Sequence, residues 1–380
     1  MDYQSIKILS NDFTFLSELD VYTSLRFKRA WQSYGDFEIH LIGQQPYAQI
    51  GNYIMLSNNA DKVGIIKSVT RNAGPEGITT TLKGYHLNGI MTQRIVLPYT
   101  DNANHGYFCV PKKAVGQAVV PAPAETVLKS FVKACFPAKQ NDPRHIDMLI
   151  ATDQLRGNKT VWLSRYDQLD EVLQSICEYT DVGYKVWLDT ANKTLVFDIS
   201  TGVDRTAGQS DNSRVIMSTE YESINSLDIQ NDTAKQKNVG YAAGVGEDEN
   251  RLVIAITNDN TMATGLERSE VFIDCGTLEA AETDESLSLS DEGKHKLLDY
   301  KTQASITASY NPAGSFAYER DFDLGDLVTI ADRQLNIQVD KRITEIEECY
   351  EAKSISINLT FGTAPEHLNR VIKSFLPAVK

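Results

Sequence analysis

The sequence predicts a mainly β protein with α+β accessory domains, and three features carry this prediction. Short runs of β-branched and aromatic residues, separated by turn residues, dominate both ends of the 380-residue chain. Two helical patterns and a hairpin pattern interrupt them in the middle. A strand, strand, strand, helix order near the N-terminus returns near the C-terminus. A chain of this length is expected to fold as two to four domains.

Residues 1–98 are predicted to form the first β domain. Alternating apolar and polar residues begin at Tyr22 and again at Gly35. Turn residues then divide a β-meander, which a short helix closes. The predicted elements of this meander are strands at 53–57, 63–70 and 78–82 and the helix at 86–94.

Residues 99–205 change character and are predicted to form an α+β domain. Apolar residues with a helical period indicate helices at 124–136 and 166–179. Two strand patterns separated by turn residues at 189–193 predict a hairpin over 184–199.

The second β domain, residues 206–245 and 318–363, is predicted to be split by an acidic inserted domain at 246–317. Between Glu247 and Glu292 the chain has 13 acidic and two basic residues. Burying unpaired carboxylates costs several kcal/mol each. The acidic segment is therefore expected to be solvated or to face a basic partner.

Three further segments have a marked composition. Residues 289–304 predict a polar helix with acids at its N-terminus, where the helix dipole favours them. Residues 364–380 predict an amphipathic helix that docks on its own chain or on a neighbouring subunit. Residues 27–31 mix bases with aromatic rings, and in a net acidic protein these bases are expected to face an acidic partner surface.

A repeat relates the two β domains. Gly51 corresponds to Gly325 with an offset of 274, and Gly84 corresponds to Gly362 with an offset of 278. Three-stranded meanders are common, so chance similarity is the alternative. The pattern favours duplication of residues 51–94 as residues 325–372.

Composition excludes several functional classes. The chain has 37 basic and 51 acidic residues, a net charge of −14, which argues against binding nucleic acid or anionic lipid. Five dispersed cysteines without C-x-x-C spacing are expected to be buried thiols in a protein made in a reducing cytoplasm. The sequence has neither a signal-peptide pattern nor a run of 18 apolar residues, so secretion by a signal peptide and a membrane span are not expected.

Motifs for chemistry are missing. The six histidines are never four residues apart, and each is predicted to be a surface or core-edge side chain. The glycines of Gly244–Gly246 are followed by acids that would repel a pyrophosphate, so this segment is interpreted as a loop. Asp321, Asp323 and Asp326 are interpreted as a solvated turn that enters a strand. We predict no catalytic, cofactor-binding or metal-binding residues and no enzymatic activity.

Several runs together resemble a known family, the minor tail proteins of long-tailed phages and prophages, and in particular the baseplate-hub or tail-associated proteins. The resemblance covers nearly the whole chain and depends on core and turn patterns. The runs are residues 24–39, 51–55, 64–68, 82–95, 321–330, 342–348 and 359–362.

This resemblance implies a specific architecture. Hub proteins carry two similar β-barrel domains per chain, and three chains form a pseudo-sixfold trimer that matches a sixfold tail tube to a threefold distal tip. The implied partners are further copies of the chain, the tail tube or distal tail protein, and other tail-tip proteins. The implied location is the virion tail tip, without stable membrane anchoring. Relatives often continue into an enzymatic or receptor-binding module, whereas this chain stops at Lys380, which disfavours an enzymatic role.

Other functions stay open at this point. A tail-tip peptidoglycan hydrolase would need a catalytic dyad or metal set, and a carbohydrate-binding receptor-recognition module would use surface Trp and Tyr. The acidic segment is expected to lie in a peripheral insert. The alternative is a lining of the tail channel, where like charges would let DNA pass without specific binding.

Overall fold

The described part of the chain is mainly β. The computed structural model describes residues 4–362, apart from 20–21, 76, 100–105, 113–119, 245, 247–249, 258–260, 276–284, 301–302 and 352–353. Within these residues the largest sheet contains 13 strands. The helix predicted at 364–380 and half of the acids of the insert, including Glu247, Asp248, Glu249, Glu282 and Asp284, lie outside the described residues.

The first β unit contains the seven N-terminal strands. These are β1 (Ile6–Leu9), β2 (Phe15–Leu19), β3 (Ser24–Ala30), β4 (Asp36–Ile42), β5 (Tyr53–Leu56), β6 (Val63–Gly74) and β7 (Gly77–His86). They pair in the order β3-β4-β7-β6-β5-β1-β2. Alternate side chains of β3 and β4, such as Leu25, Phe27 and Ile39, share one buried core. The helix predicted at 86–94 is confirmed as a 3-10 helix, Leu87–Gln93.

The α+β unit follows. Its elements are β8 (Phe108–Val110), β9 (Ala122–Pro123), α1 (Ala124–Cys135), β10 (Met148–Ile150), β11 (Lys159–Thr160), β12 (Trp162–Ser164), α2 (Leu169–Thr180), β13 (Gly183–Asp189) and β14 (Thr194–Ser200). The predicted hairpin is confirmed, with Val186 opposite Phe197. The second helix starts at Leu169, later than predicted, because Tyr166 has a left-handed φ of 60°. Both helices share a core with Leu87 of the 3-10 helix.

The second β unit repeats the strand order of the first. Its strands are β15 (Ile216–Met217), β16 (Ile224–Asp232), β20 (Gln303–Tyr310), β21 (Leu327–Asp332), β22 (Ile337–Glu351) and β23 (Ser354–Gly362). They pair in the order β16-β20-β23-β22, while β21 lies on β22 and β15 lies parallel to β21.

The insert is a separate small α/β layer between β16 and β20. It contains β17 (Val239–Ala243), β18 (Val253–Ile256), β19 (Glu270–Asp274) and α3 (Glu285–Leu297). Two predictions are corrected here. Strand β17 pairs with β18 and β19 rather than with the second β unit, so the insert begins before residue 246. The helix predicted at 289–304 ends at Leu297, and β20 then returns to the large sheet well before residue 317.

The two β units join as one sheet. Strand β22 of the second unit pairs antiparallel with β3 of the first. Across the described residues the strand path runs openly from β16 to β2, so two separate closed barrels are not confirmed.

Candidate functional site: the seam between the two β units

The two β units meet along β3 and β22, and we call this contact the seam. Seven antiparallel residue pairs join the strands. Arg26 Nη1 lies 3.1 Å from Glu347 Oε2, and Lys28 Nζ lies 3.6 Å from Glu345 Oε1. The acidic surface expected opposite the bases of residues 27–31 therefore belongs to the same chain.

The seam also contains an ionic cluster, formed by Arg29, Lys62, Tyr318, Asp323 and Glu348, in which the Arg29, Lys62 and Glu348 side chains are buried. Glu348 is 1% exposed. Its Oε1 lies 2.8 Å from Lys62 Nζ and accepts a hydrogen bond of 2.8 Å from the Tyr318 hydroxyl. Arg29 Nη2 donates to Tyr318 Oη at 2.6 Å and to Asp323 Oδ1 at 2.7 Å. The first β unit thus supplies both cations, and the second supplies their partners.

The charges in this cluster compensate one another. Burial by itself raises the pKa of the Glu348 carboxyl, but the positive charges of Lys62 and Arg29 outweigh burial and hold that pKa below its ordinary value. A buried charge without its partner costs several kcal/mol. The ion pairs therefore disfavour any other alignment of the two β units.

Trp31 lies directly after β3, where three units meet. Its side chain is 2% exposed. Its backbone N–H donates to Thr344 O in β22 at 2.9 Å, and its carbonyl accepts from Tyr184 N–H in β13 at 3.1 Å. A Cβ atom at Gly183 would lie 2.3 Å from Trp31 Nε1, so this contact requires glycine. The Arg342 guanidinium carbon lies 4.4 Å from a ring centroid of Trp31.

Asn88 links the first β unit to the α+β unit. Its Nδ2 donates to Ser33 O at 3.0 Å and to Tyr184 O at 3.2 Å. Its Oδ1 accepts from Val186 N–H at 2.8 Å. The buried amide is bonded through both its donor and its acceptor atoms, as burial of a polar side chain requires.

His86 is buried beside Asn88, and its position differs from the prediction of a surface or core-edge side chain. His86 Nε2 lies 2.8 Å from Asp61 O, and Asn88 N–H donates to Nδ1 at 3.3 Å. These partners assign the neutral tautomer with a proton on Nε2. Burial lowers the pKa of His86, the bond to Asp61 O opposes this, and the charge of Arg29 lowers it further, to about 4.

We expect the free energy of unfolding to fall as pH is lowered from about 6.5 to about 4. In this interval His86 of the unfolded chain binds a proton that the folded chain excludes. The loss that His86 causes should reach roughly 3 kcal/mol, measured by urea unfolding at a series of pH values. His86→Gln should remove much of this dependence, whereas His40→Gln, at a half-exposed histidine, should keep it. Equal pH dependence in both variants would contradict the assignment. His295, whose pKa burial lowers to about 3, should add a loss of similar size over the same interval, which both variants should keep.

A cavity of about 180 Å³ lies at this junction, and Arg29, Trp31, Asn88, Tyr184 and Asp323 are among its lining residues. Arg29, Asn88 and Asp323 already bond to protein groups. No group of three or more His, Cys, Asp or Glu side chains gathers as a metal site among the residues that the structure describes. The same part of the chain has no helix that is both long and apolar enough to span a membrane.

The interpretation of Asp321, Asp323 and Asp326 as a solvated turn is wrong for Asp326, whereas the side chains of Asp321 and Asp323 are partly exposed. Asp323 belongs to the ionic cluster. Asp326 is 5% exposed and its Oδ2 lies 2.7 Å from Arg205 Nε. Asp321 pairs with its neighbour Arg320. The turn faces cations from distant segments, which local alternation could not reveal.

Other residues discussed from the sequence lie away from the seam cluster. None of the five cysteines forms a disulfide, and Cys349 is half-buried rather than buried. Gly244 follows β17, and Gly246 has a φ of 126°, which suits the predicted loop. The His295 ring is stacked on Trp162 with a centroid distance of 3.8 Å, which ties α3 to the α+β unit.

The same backbone geometry occurs at corresponding points of the two β units. Gly51, before β5, and Gly325, before β21, both have a φ of 91°. Gly51 N–H donates to Ile66 O at 2.9 Å, and Gly325 N–H donates to Ile343 O at 2.8 Å. A β-bulge follows Ile66 in β6 and Ile343 in β22.

From these bulges onward one offset of 277 relates the two hairpins. Ser68 lies opposite Lys83, and Glu345 lies opposite Thr360. Gly84 therefore corresponds to Phe361 and not, as predicted, to Gly362. The one-residue difference matters because it exchanges the two faces of a strand.

Comparisons with known proteins agree with this architecture. A sequence model of the Siphovirus ReqiPepy6 Gp37-like protein family matches residues 5–363. The 43 kDa tail protein of prophage MuSo2 from Shewanella oneidensis is similar in structure, with a TM-score of 0.53 and 11% identity, over 94% of this chain and 97% of that chain. Prophage tail protein gp18 from Listeria monocytogenes EGD-e gives a TM-score of 0.53 and 12% identity, over 97% of both chains. The tail protein from Neisseria meningitidis MC58 gives a TM-score of 0.51 and 11% identity, over 94% of this chain and 96% of that chain. A comparison with curated proteins found no match.

The match extends over nearly the whole chain, so the chain belongs to the Siphovirus ReqiPepy6 Gp37-like family, a family of siphovirus tail proteins. The solved structures share its fold at low identity.

Proposed function

We propose that this siphovirus tail protein is a structural baseplate-hub protein of the tail tip. In this role a homotrimer joins the sixfold tail tube to the threefold distal tip. One observation carries the proposal: a single chain builds the same strand arrangement twice and joins the two copies edge to edge.

Symmetry explains why this arrangement suits a hub. Three chains with two similar units each present six similar surfaces on one side, while every other part of the chain occurs three times. A protein with one β unit per chain could match a sixfold ring or a threefold tip, but not both. The paired strands and buried ion pairs of the seam would hold the two units in a fixed relation.

The proposed role is mechanical and includes no reaction. Its partners are further copies of the chain, the tail tube or distal tail protein and other tail-tip proteins, and DNA passes through the channel without specific contacts. We also propose that the insert is peripheral. Its helix α3 packs through His295 on Trp162 and Tyr179 of the α+β unit.

The number and location of copies in virions test this proposal. We expect three copies per particle by quantitative mass spectrometry, and gold-labelled antibody only at the distal end of the tail. The major tail-tube protein of the same virions serves as the internal standard. Labelling along the tail shaft, or a copy number that is not three, would contradict the hub role.

A further inference from the structure

We propose that copies of this chain join head to tail by β-sheet pairing, β6 of one copy with β16 of the next, in the register of the internal seam. This inference deepens the proposed hub function, because it names the contact between copies. The edge pairing itself is argued from the duplication within the chain. Only the number of copies in the ring, three, rests on the proposed hub function.

The strand pairings make the two units equivalent strand by strand. In the first unit, Phe27 of β3 lies opposite Phe37 of β4, which lies opposite Gly84 of β7. In the second unit, Ile229 of β16 lies opposite Ile306 of β20, which lies opposite Phe361 of β23. Strands β16, β20, β21, β22 and β23 thus correspond to β3, β4, β5, β6 and β7.

Among the residues that the structure describes, the seam uses one edge from each unit and leaves the two equivalent edges open. It pairs the second half of β22 with β3. The corresponding half of β6, residues 68–74, pairs within the described chain with β7 alone. Strand β16, the counterpart of β3, pairs with β20 alone among the same residues. An open edge presents unpaired N–H and C=O groups. The counterparts of these two edges, on β22 and β3, already pair with each other at the seam.

Apolar exposure follows the same correspondence. At the seam, Tyr350 is 2% exposed and packs with Ile355 against the core of the first unit. The counterpart of Ile355 on the open edge is Ile78, which is 38% exposed. Leu25 and Phe27 of β3 are buried, whereas their counterparts Leu227 and Ile229 are only half-buried. A second copy would cover these side chains as the seam covers their equivalents.

Charge distinguishes the seam within one chain from the proposed contact between copies, so that neither edge pair can replace the other. At the seam the acids lie on β22 and the bases lie on β3. On the open edges the signs are reversed, with Arg71 on β6 and Asp228 and Asp232 on β16. An open β16 edge would meet like charges on β22, and an open β6 edge would meet like charges on β3. Reversed signs therefore direct each open edge to the other.

The correspondence fixes the register between copies. Since Glu345 lies opposite Ala30 and Cys349 opposite Arg26 at the seam, Ser68 should lie opposite Asp232, and Asn72 opposite Asp228. Both edges belong to every copy, so the contact is heterologous and propagates until the rotation closes a ring. The proposed trimer is that ring.

Disulfide cross-linking of the full-length protein tests this register. In an Asn72→Cys, Asp228→Cys variant the new thiols lie directly opposite each other in the proposed pairing, within disulfide reach. Cysteine suits this position, because Cys349 is its counterpart at the seam. Mild oxidation should produce reducible covalent dimers and trimers on a non-reducing gel. An Asn72→Cys, Asn231→Cys variant, with the second thiol three residues out of register on the same exposed strand, should react at least roughly tenfold more slowly.

The cross-linking experiment and the virion experiment can fail independently of each other. Equal cross-linking in the two variants, or no more than in the single-cysteine variants, would overturn the edge pairing. Virions with three copies at the tail tip and no in-register cross-link would overturn the pairing but not the hub role. In-register cross-links in a protein that never occupies the tail tip would support the pairing and overturn the hub role.

Discussion

Replacing Glu348 with glutamine is expected to lower the free energy of unfolding by about 3–5 kcal/mol at pH 7. Glu348 is nearly inaccessible and bonds to Lys62, Tyr318 and Tyr350, the last at 2.5 Å. Glutamine would leave the buried charges of Lys62 and Arg29 without this compensation. Urea unfolding monitored by circular dichroism measures the loss.

The matched control is Glu351→Gln, an exposed glutamate on the same strand, which should change stability by less than about 0.5 kcal/mol. The pKa of Glu348 is lowered in the folded protein, so its stabilisation is lost as pH falls through that pKa. The gap between wild type and Glu348→Gln should therefore narrow in acid. Equal losses in the two variants, or a gap independent of pH, would contradict the role of the ionic cluster.

Replacing Trp31 with alanine is expected to cost about 3–5 kcal/mol, because it removes a large buried ring at the junction of three units. The ring fills the space beside Gly183 and Gly325, where added Cβ atoms would lie 2.3 and 2.5 Å from its Nε1. Arg342 would also lose the aromatic face beneath its guanidinium group. Thermal and urea unfolding measure the effect.

Trp187→Ala provides the comparison, since Trp187 lies half-buried on β13 away from the seam. Trp187→Ala should lower the free energy of unfolding by clearly less than Trp31→Ala does. The stability of Trp31→Phe should lie between those of wild type and Trp31→Ala. If Trp31→Ala and Trp187→Ala cost the same, Trp31 does not hold the units together.

Elements specified by local pattern were predictable from the sequence. Helix α1 and the β13–β14 hairpin have short-range periodicity and a turn of suitable residues, and both occur where predicted. The meander β5–β6–β7 and its counterpart near the C-terminus follow for the same reason. Their exact correspondence did not follow, because it is fixed by the hydrogen-bonded register, which gives one offset of 277 in both hairpins, and matching glycines by sequence missed it by one residue.

Elements that depend on distant pairing were mistaken. The helix predicted to run to residue 304 ends at Leu297, and pairing with β16 and β23 makes residues 303–310 a strand. Strand β17 has weak strand character of its own and is specified by β18 and β19, which follow it in the sequence. Tertiary pairing overrides local preference in both cases.

The contact between β3 and β22 at the seam was only partly predictable from the sequence. Lys62 and Glu348 are separated by 286 residues, and nothing local indicates that they touch. The opposite charges on two strands that each alternate with apolar residues, 24–30 and 345–351, were the available clue. Such a pair of strands indicates cross-strand ion pairs and could have predicted the contact.

Cryo-electron microscopy of intact tail tips, reconstructed without imposed symmetry, tests the central claim most directly. The account predicts three copies of this chain around the channel, with six β units in which internal seams alternate with β6–β16 contacts between copies. A tip with a different number of copies, or with the two β units of one chain separated rather than joined at the seam, would contradict it.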